Sequence, residues 1–294
     1  MSIWQRDFEG QNKVDTAVAR IRHMCDGKHA YIAFSGGKDS QCCYHLCKLA
    51  KVRIPAIYRV TRFEPPQLVQ FIRDKYPDVS FSRHYKRTLH DEIVSKGLPS
   101  RLKRWCCVPK HDKEDGFDVA VIGVRAEESA RRERTWRVFG VKKDRTAYVC
   151  PIFDWTESDV WEFLSYVGAP HCCLYDPPYN LKRIGCVCCP LAFQNMRREA
   201  EMWPKTANML WRAACAFVAR MRAQGWRTAT GKECSSWCKA ENPELEYWSR
   251  WMLTGQTSRS EVEFWDWTNR RPVVDGQCEF EGSGFSEADG AEEL

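Results

Sequence analysis

Two groups of residues in this chain are of types and spacings that do chemistry. The first is Ser35-Gly36-Gly37-Lys38-Asp39-Ser40. Two glycines let a backbone turn sharply and come close to an anion. The amides of such a turn, and of a helix starting behind it, point at that anion. Lys38 adds a positive charge, Ser35 and Ser40 add hydroxyl donors, and Asp39 is placed to hold a magnesium ion or to orient the loop. The stretch lacks the Gly-x-x-x-x-Gly-Lys-Ser/Thr spacing of the Walker phosphate loop. The second group is made of cysteines. Cys106 and Cys107 are adjacent, and after 78 intervening residues Cys186 and Cys189 form a Cys-x-x-Cys pair. Zinc favours two Cys-x-x-Cys pairs, or cysteines with histidines, whereas four thiolates suffice for a 4Fe-4S cluster. Structural zinc on the same four residues stays open as the alternative. Cys172, Cys173 and Cys188 are spare thiols close to the second pair. Cys42, Cys43, Cys47, Cys150 and Cys215 fall on helix or strand faces and read as small core residues.

Elements must hold these groups in place. Residues 29–34 read as a first strand, and 38–51 as a helix with Cys42, Cys43, Leu46 and either Leu49 or Ala50 inward. A helix over 12–26 precedes them. Strands are expected at 54–60, 79–85, 118–124 and 147–153, and helices at 65–76, 88–97 and 157–167. Strands alternating with helices predict an α/β fold, a parallel twisted sheet with helices on both faces. A ligand then sits beyond the carboxyl ends of the strands. Ser35–Ser40 hold that position for the first strand. Arg125 follows the strand that ends at Val124, so it is a candidate phosphate or sulfate ligand, with Arg132 a second one.

From about residue 190 the strand signals vanish. Helical stretches at 191–203 and 206–224 lead into a Trp-rich region, 226–267. Three parts are expected: an α/β domain over 1–192, a mainly helical appendage over 193–278 packed on it, and an acidic tail over 279–294 whose composition reads as disordered. The tail carries six acidic residues and no basic one, so the overall charge of +6 leaves the rest of the chain near +12. Such a surplus suits an anionic ligand. Arg125, Arg131, Arg132, Arg134, Arg137, Lys142, Lys143 and Arg145, with Trp136, Phe139 and Tyr148 among or near them, suit the phosphate backbone and stacked bases of a nucleic acid, and a loop solvated by half of these charges stays open as the alternative. The N-terminus is polar and charged, and no run approaches the ~18 apolar residues of a membrane span. A cytoplasmic protein is expected. There, 16 cysteines point to metal or redox chemistry in preference to disulfides.

Ser35–Ser40 resembles the PP-loop of the N-type ATP pyrophosphatases, which split ATP between the α and β phosphates. Cys106-Cys107 with Cys186-x-x-Cys189 is similar to the cluster-binding pattern of iron–sulfur adenylyl-sulfate reductases, within the wider family of phosphoadenosine phosphosulfate (PAPS) reductases. Gly123-Val124-Arg125-Ala126-Glu127-Glu128-Ser129 resembles that family's Gly-x-Arg-x-x-x-Ser segment. Pro151-Ile152-Phe153-Asp154-Trp155 with Asp159-Val160-Trp161, and Tyr175-Asp176 with Arg183-Ile184-Gly185-Cys186 and Cys189-Pro190, resemble two further stretches. The resemblance spans about residues 29–192. It implies an adenine nucleotide α-hydrolase-like fold and an adenine-nucleotide ligand. It favours Cys186 and Cys189 over Cys188, because the family pattern puts Gly before the first ligand and Pro after the second.

Within the family two chemistries compete. The resemblance implies that reductases have an altered loop and a nucleophilic cysteine in a C-terminal Glu-Cys-Gly-x-His segment, resolved by thioredoxin or glutathione. The ATP-using branch keeps Ser-Gly-Gly-Lys-Asp-Ser and includes sulfur transferases of DNA phosphorothioation and RNA thiolation. This chain keeps that loop. Its nearest approach to the reductase tail is Glu233-Cys234-Ser235-Ser236, in which Cys234 is a candidate nucleophile with Lys232 nearby. The expected function is ATP cleavage with pyrophosphate release, in cluster-dependent sulfur transfer. Catalytic candidates are Lys38, Asp39, Arg125 and Cys234. The expected cofactors are the 4Fe-4S cluster, ATP and Mg²⁺. Expected partners are a sulfur donor such as a cysteine desulfurase, or a thioredoxin-like reductant for a reductase, with a nucleic acid as candidate acceptor and a homo-oligomer as candidate assembly. The alternatives are a PAPS or adenylyl-sulfate reductase releasing sulfite, and a non-enzymatic nucleotide- or redox-sensing module.

Overall fold

The computed structural model describes residues 2–6, 10–83, 85–108, 114, 116–226 and 236–257. Its centre is β1 (Ala30–Phe34), buried at nearly every residue as a central strand of a parallel sheet is. β1 pairs in parallel with β2 (Ala56–Arg59) on one side and β4 (Val119–Val121) on the other, with Ile32 level with Ala56 and Val121. β3 (Val79–Ser82) lies outside β2, and β6 (Ala147–Val149) outside β4, both parallel to their neighbours. A sixth strand, β5 (Phe139–Val141), closes the far edge antiparallel to β6, giving the order β3-β2-β1-β4-β6-β5. The sequence offered no alternating run there, since β5 is only Phe-Gly-Val. Gly140 sits against the Tyr148 ring, where a Cβ would lie 2.4 Å from the hydroxyl.

β4 and β6 are shorter than the apolar runs that predict them, because the last residues of each run leave the ladder to build the carboxyl edge. The Ile122 amide still donates to the Val149 carbonyl at 2.9 Å, and the chain then leaves the ladder, with the Val124 amide donating to the Ile122 carbonyl at 3.0 Å. Residues 150–153 likewise form a turn after β6.

The helices begin where capping side chains stand. Asn12 caps α1 (Lys13–Cys25), Thr88 caps α4 (Leu89–Lys96), and Thr156 with Asp159 forms a reciprocal box at α6 (Glu157–Tyr166). α2 (Lys38–Leu49) and α3 (Pro66–Lys75) complete the helices nearest the loop. On α2, Cys42, Cys43, Leu46 and Cys47 are buried, and of the two alternatives at its end Ala50 is inside while Leu49 is exposed. The two sheet faces are unequally covered. Ala30, Ile32 and Phe34 join a large core with α1, α2, α3 and α6. Tyr31, Ile57, Ala120 and Tyr148 form a small second cluster, closed by Phe117, Phe153 and by Trp136, which follows α5 (Ala130–Thr135).

The C-terminal part is helical: α7 (Met196–Met202), α8 (Pro204–Ala223) and α9 (Pro243–Thr254). Its buried side chains, including Leu210, Val218 and Trp248, belong to the same large core. Polar bonds pin it to residues 94–99: Arg220 donates to the carbonyls of Val94 (2.7 Å) and Ser95 (2.9 Å), and the Leu98 amide to the Tyr247 hydroxyl (2.8 Å). Most of residues 226–236 and all of 258–294, the expected acidic tail included, lie outside the described residues, and so does Cys234. No helix among the described residues is long and apolar enough to cross a membrane.

Candidate functional site

The loop after β1 closes on itself. The Ser40 hydroxyl accepts from the Ser35 amide and hydroxyl, both at 3.1 Å, and donates to the Gly37 carbonyl at 2.8 Å. Gln41, fully buried, donates to the Gly36 carbonyl at 2.9 Å and accepts from the Tyr76 hydroxyl at 2.9 Å. Two glycines are needed for stated reasons. Gly36 has φ +72°, and a Cβ there would press on Leu68 and Ile72 at 2.7–2.8 Å. Gly123 is the less obvious one. It brings the end of β4 against the start of α2, where a Cβ would sit 2.7 Å from the Asp39 carbonyl oxygen.

Gly37 caps α2 without a side-chain bond, so the helix start keeps its partial positive charge for a ligand. Lys38, the first residue, is buried. Its amide donates to the Tyr175 hydroxyl at 2.9 Å, and its ammonium to the Lys182 carbonyl at 3.0 Å. Glu157 Oε1 lies 3.3 Å from the same nitrogen. The ammonium also stands 5.6 Å from the Tyr175 ring centre.

Arg125 is where the order of the strands puts it, at this edge, but its guanidinium already has anionic partners. Nε bonds Asp39 Oδ1 at 2.6 Å and Nη1 bonds Glu127. Burial opposes its charge, yet Asp39 and Glu127 outweigh that and hold its pKa up. Arg132 is paired with Glu128, which Arg183 also approaches at 3.6 Å, and burial lowers the Arg132 pKa. The structure thus brings Ser35–Ser40 and Arg125 together, with Arg125 tying Asp39 in place and Arg132 one ion pair farther out. Of the Asp39 carboxylate, Oδ1 is taken by Arg125, leaving Oδ2 as the oxygen for a cation.

The four expected cysteines converge from segments far apart in sequence. Cys106 Sγ lies 3.9 Å from Cys107 Sγ. Cys106 is also within electrostatic reach of Cys186 and Cys189, and Cys189 of Cys186 and Cys107. The Cys107 contact first, then burial, raise the Cys106 pKa; burial raises that of Cys189. Main-chain and hydroxyl contacts place them. Tyr85 donates to the Cys106 carbonyl (3.2 Å), the Val187 amide to the Phe63 carbonyl (2.6 Å), and Thr61 Oγ1 is 3.4 Å from Cys186 Sγ. Cys188, at φ +53°, turns the other way. Its thiol is fully buried against the Met196 carbonyl at 3.7 Å, and its amide donates to Glu199 at 2.7 Å. Cys172 is buried as well, while Cys173 is half-buried. Among the described residues no three His, Cys, Asp or Glu side chains are gathered tightly enough for one metal ion.

Sequence reasoning missed Tyr175, Glu157, Gln41 and the Lys182 carbonyl as parts of the loop's surroundings. Tyr175 lay in a quoted motif stretch and Glu157 between the two parts of another, but nothing in their spacing tells which side chain reaches Lys38. A carbonyl oxygen carries no sequence signal at all.

Residues 29–192 match the model of the phosphoadenosine phosphosulfate reductase domain. The chain is 29% identical to an uncharacterised protein of Methanocaldococcus jannaschii, over 62% of this chain and 42% of that one. It is 30% identical to an adenosine 5'-phosphosulfate reductase of Oceanobacillus iheyensis, over 43% of this chain and 55% of that one. The chain therefore spans about half the length of these curated relatives. Among solved structures, the PAPS reductase of Candida auris is similar at a TM-score of 0.47 and 15% identity, over 63% of this chain and 98% of that one. The family match takes in more than half of the sequence, including the loop, Arg125 and all four converging cysteines, and the chain belongs to the phosphoadenosine phosphosulfate reductase family.

Proposed function

We propose that this protein binds ATP on Ser35–Ser40, splits it between the α and β phosphates, and uses the resulting adenylate for sulfur transfer. The observation that carries this reading is the position of Lys38. It stands on an unaltered loop, and its partners Tyr175 and Lys182 lie on the segment that runs into Cys186. Phosphate site and thiols thus share one edge of the sheet.

In the first step an oxygen of the acceptor attacks the α-phosphorus. An O–P bond forms, the bridging bond to the β-phosphate breaks, and pyrophosphate leaves with the electron pair. Lys38 and the amides at the α2 start hold the charge that develops on it, an effect of the kind that dominates such catalysis. An incoming phosphate takes the place that the half-exposed Glu157 carboxylate holds beside the Lys38 ammonium. Asp39, oriented by Arg125, offers Oδ2 to a magnesium ion, which takes few protein ligands and keeps several waters. In the second step a sulfur nucleophile displaces AMP from the adenylated carbon, the C–O bond breaking as the C–S bond forms. A protein persulfide of the cysteine-desulfurase class is the expected donor: its terminal sulfur forms the C–S bond, and a thiol co-reactant then attacks the S–S bond, releasing the thiolated acceptor and leaving a disulfide.

Cys106, Cys107, Cys186 and Cys189 are the residues to hold a 4Fe-4S cluster. One thiolate per iron asks for four sulfurs spread around a cage, unlike the single point that one ion demands. Cys106 and Cys107, with Sγ atoms 3.9 Å apart, and Cys186 and Cys189 within electrostatic reach of Cys106 supply the four thiols such a cluster takes. When bound, such a cluster supplies electron storage and a local charge beside the substrate. A nucleic acid is a candidate acceptor, since Arg131, Arg134, Arg137, Lys143 and Arg145 are exposed beyond the site.

The test is a pair of assays on anaerobically purified protein: pyrophosphate from ATP, and sulfite from adenylyl and phosphoadenylyl sulfate. Pyrophosphate release that depends on Lys38 is expected. Sulfite release without ATP cleavage overturns the proposal in favour of a reductase, the activity printed in the name of the Oceanobacillus relative.

A further inference from the structure

We infer that the Tyr175 hydroxyl is a ligand of the bound nucleotide's phosphates, a third donor beside the loop amides and the Lys38 ammonium. The inference rests on the ATP reading above and deepens it.

A tyrosine hydroxyl has one proton to donate and two lone pairs to accept with. One lone pair of Tyr175 is occupied by the Lys38 amide at 2.9 Å, so the proton is directed elsewhere. The oxygen stands at the mouth of the loop. A Cβ built on Gly37 would be 3.5 Å from it and 3.5 Å from Ser35 Oγ, so the two hydroxyls flank one small space above the glycine. That space also faces the α2 start, where an anion is favoured.

The ring is held still for this task. Tyr175 ends a short 3-10 turn, Cys173–Tyr175, whose Leu174 is fully buried, and the Leu181 amide donates back to the Leu174 carbonyl at 2.9 Å. Trp161 meets the ring edge-on at 5.1 Å and 88°. The side chain as a whole is half-buried, with its hydroxyl in the space above Gly37. Burial pushes the phenol pKa up, so the proton that the role requires is present at neutral pH.

Two plainer roles make different predictions. If the hydroxyl only caps α2, its removal lowers stability without singling out phosphates. If it merely fills the loop when no ligand is there, its removal tightens phosphate binding.

The experiment is calorimetric titration of wild-type protein and Tyr175→Phe with ATP, inorganic pyrophosphate and adenosine, together with melting curves. Loss of a hydrogen bond to a charged group predicts affinities for ATP and pyrophosphate about 10-fold weaker or more, with adenosine unchanged. Tyr175→His, which returns a donor, is expected to recover part of the loss. Unchanged or tighter ATP binding in Tyr175→Phe overturns the inference, as does an equal loss for adenosine. Wild-type protein that binds neither ATP nor pyrophosphate refutes the ATP reading itself, a result distinct from any behaviour of the variant.

Discussion

The phosphate loop and the cysteine centre share one edge of the sheet but are built in opposite ways. The loop is six consecutive residues whose turn is closed within the same short stretch: Ser40 bonds Ser35 and Gly37, and the next residue, Gln41, bonds Gly36. Its shape is a local property, stiffened from below by Leu68 and Ile72. The cysteine centre joins two short segments separated by 78 residues. Each is held by groups from elsewhere, Tyr85 for Cys106, and Thr61 and Phe63 for the Cys186 turn. A contiguous motif carries its own geometry. A discontinuous one depends on the strand order and packing that bring its halves together. Substitutions should therefore act on chemistry in the first region and on assembly in the second.

Five substitutions sharpen or break that contrast, from the largest effect to the smallest. Lys38→Ala is expected to lower pyrophosphate release about 100-fold, the loss of an oxyanion-type contact. Its cost in stability is only about 1 kcal/mol, since its ionic partner Glu157 is half-exposed. A melting curve beside the assay checks both, and a folded, fully active variant breaks the reading of the loop.

At the cysteine centre, Cys186→Ala should abolish iron retention after anaerobic reconstitution, measured by iron count and visible absorbance. Cys188→Ala, two residues on, should keep the iron and lose about 1 kcal/mol of stability through its buried thiol. Equal iron loss in both variants contradicts the geometry.

Gly123→Ala forces a Cβ against the Asp39 backbone, and overpacking of this kind costs about 1–3 kcal/mol. Because the clash is at the α2 start, activity should fall more steeply than the melting temperature.

The smallest effect concerns pH. Burial holds the His45 pKa down at about 4, from an ordinary 6.5. Between those values the unfolded chain takes up a proton that the folded one refuses, so His45 makes stability fall as pH falls from 6.5 toward 4. His45 is partly exposed, so screening limits this to about 1 kcal/mol at most. His45→Gln should flatten the melting temperature over that range.

Much was legible in the sequence because it rested on near-neighbour rules. The glycines, the lysine and the apolar run before them specify a strand, a tight turn and a helix start, since all three follow from local conformational preference. Alternating strands and helices gave the mostly parallel sheet. Short elements were the weak point. β5 has three residues with a glycine at its centre, and its existence depends on Tyr148 lying over that glycine. The ends of the β4 and β6 runs were overextended because periodicity counts apolar residues without knowing where the ladder stops.

The sequence by itself determined that Ser35–Ser40 follow a strand and open a helix, and which cysteines have the family's spacing. Only the tertiary structure decided what surrounds them. Arg125 looked like a free phosphate ligand, and packing gave it to Asp39 and Glu127. Cys188, already set aside on the family's spacing, is buried by a left-handed backbone turn. Tyr175, 137 residues from Lys38, became the cap of its helix. The reason is physical. A loop's own conformation is set by torsions and sterics within a few residues. The partner that satisfies a given amide or charge is chosen by whichever distant side chain the fold delivers within about 3 Å.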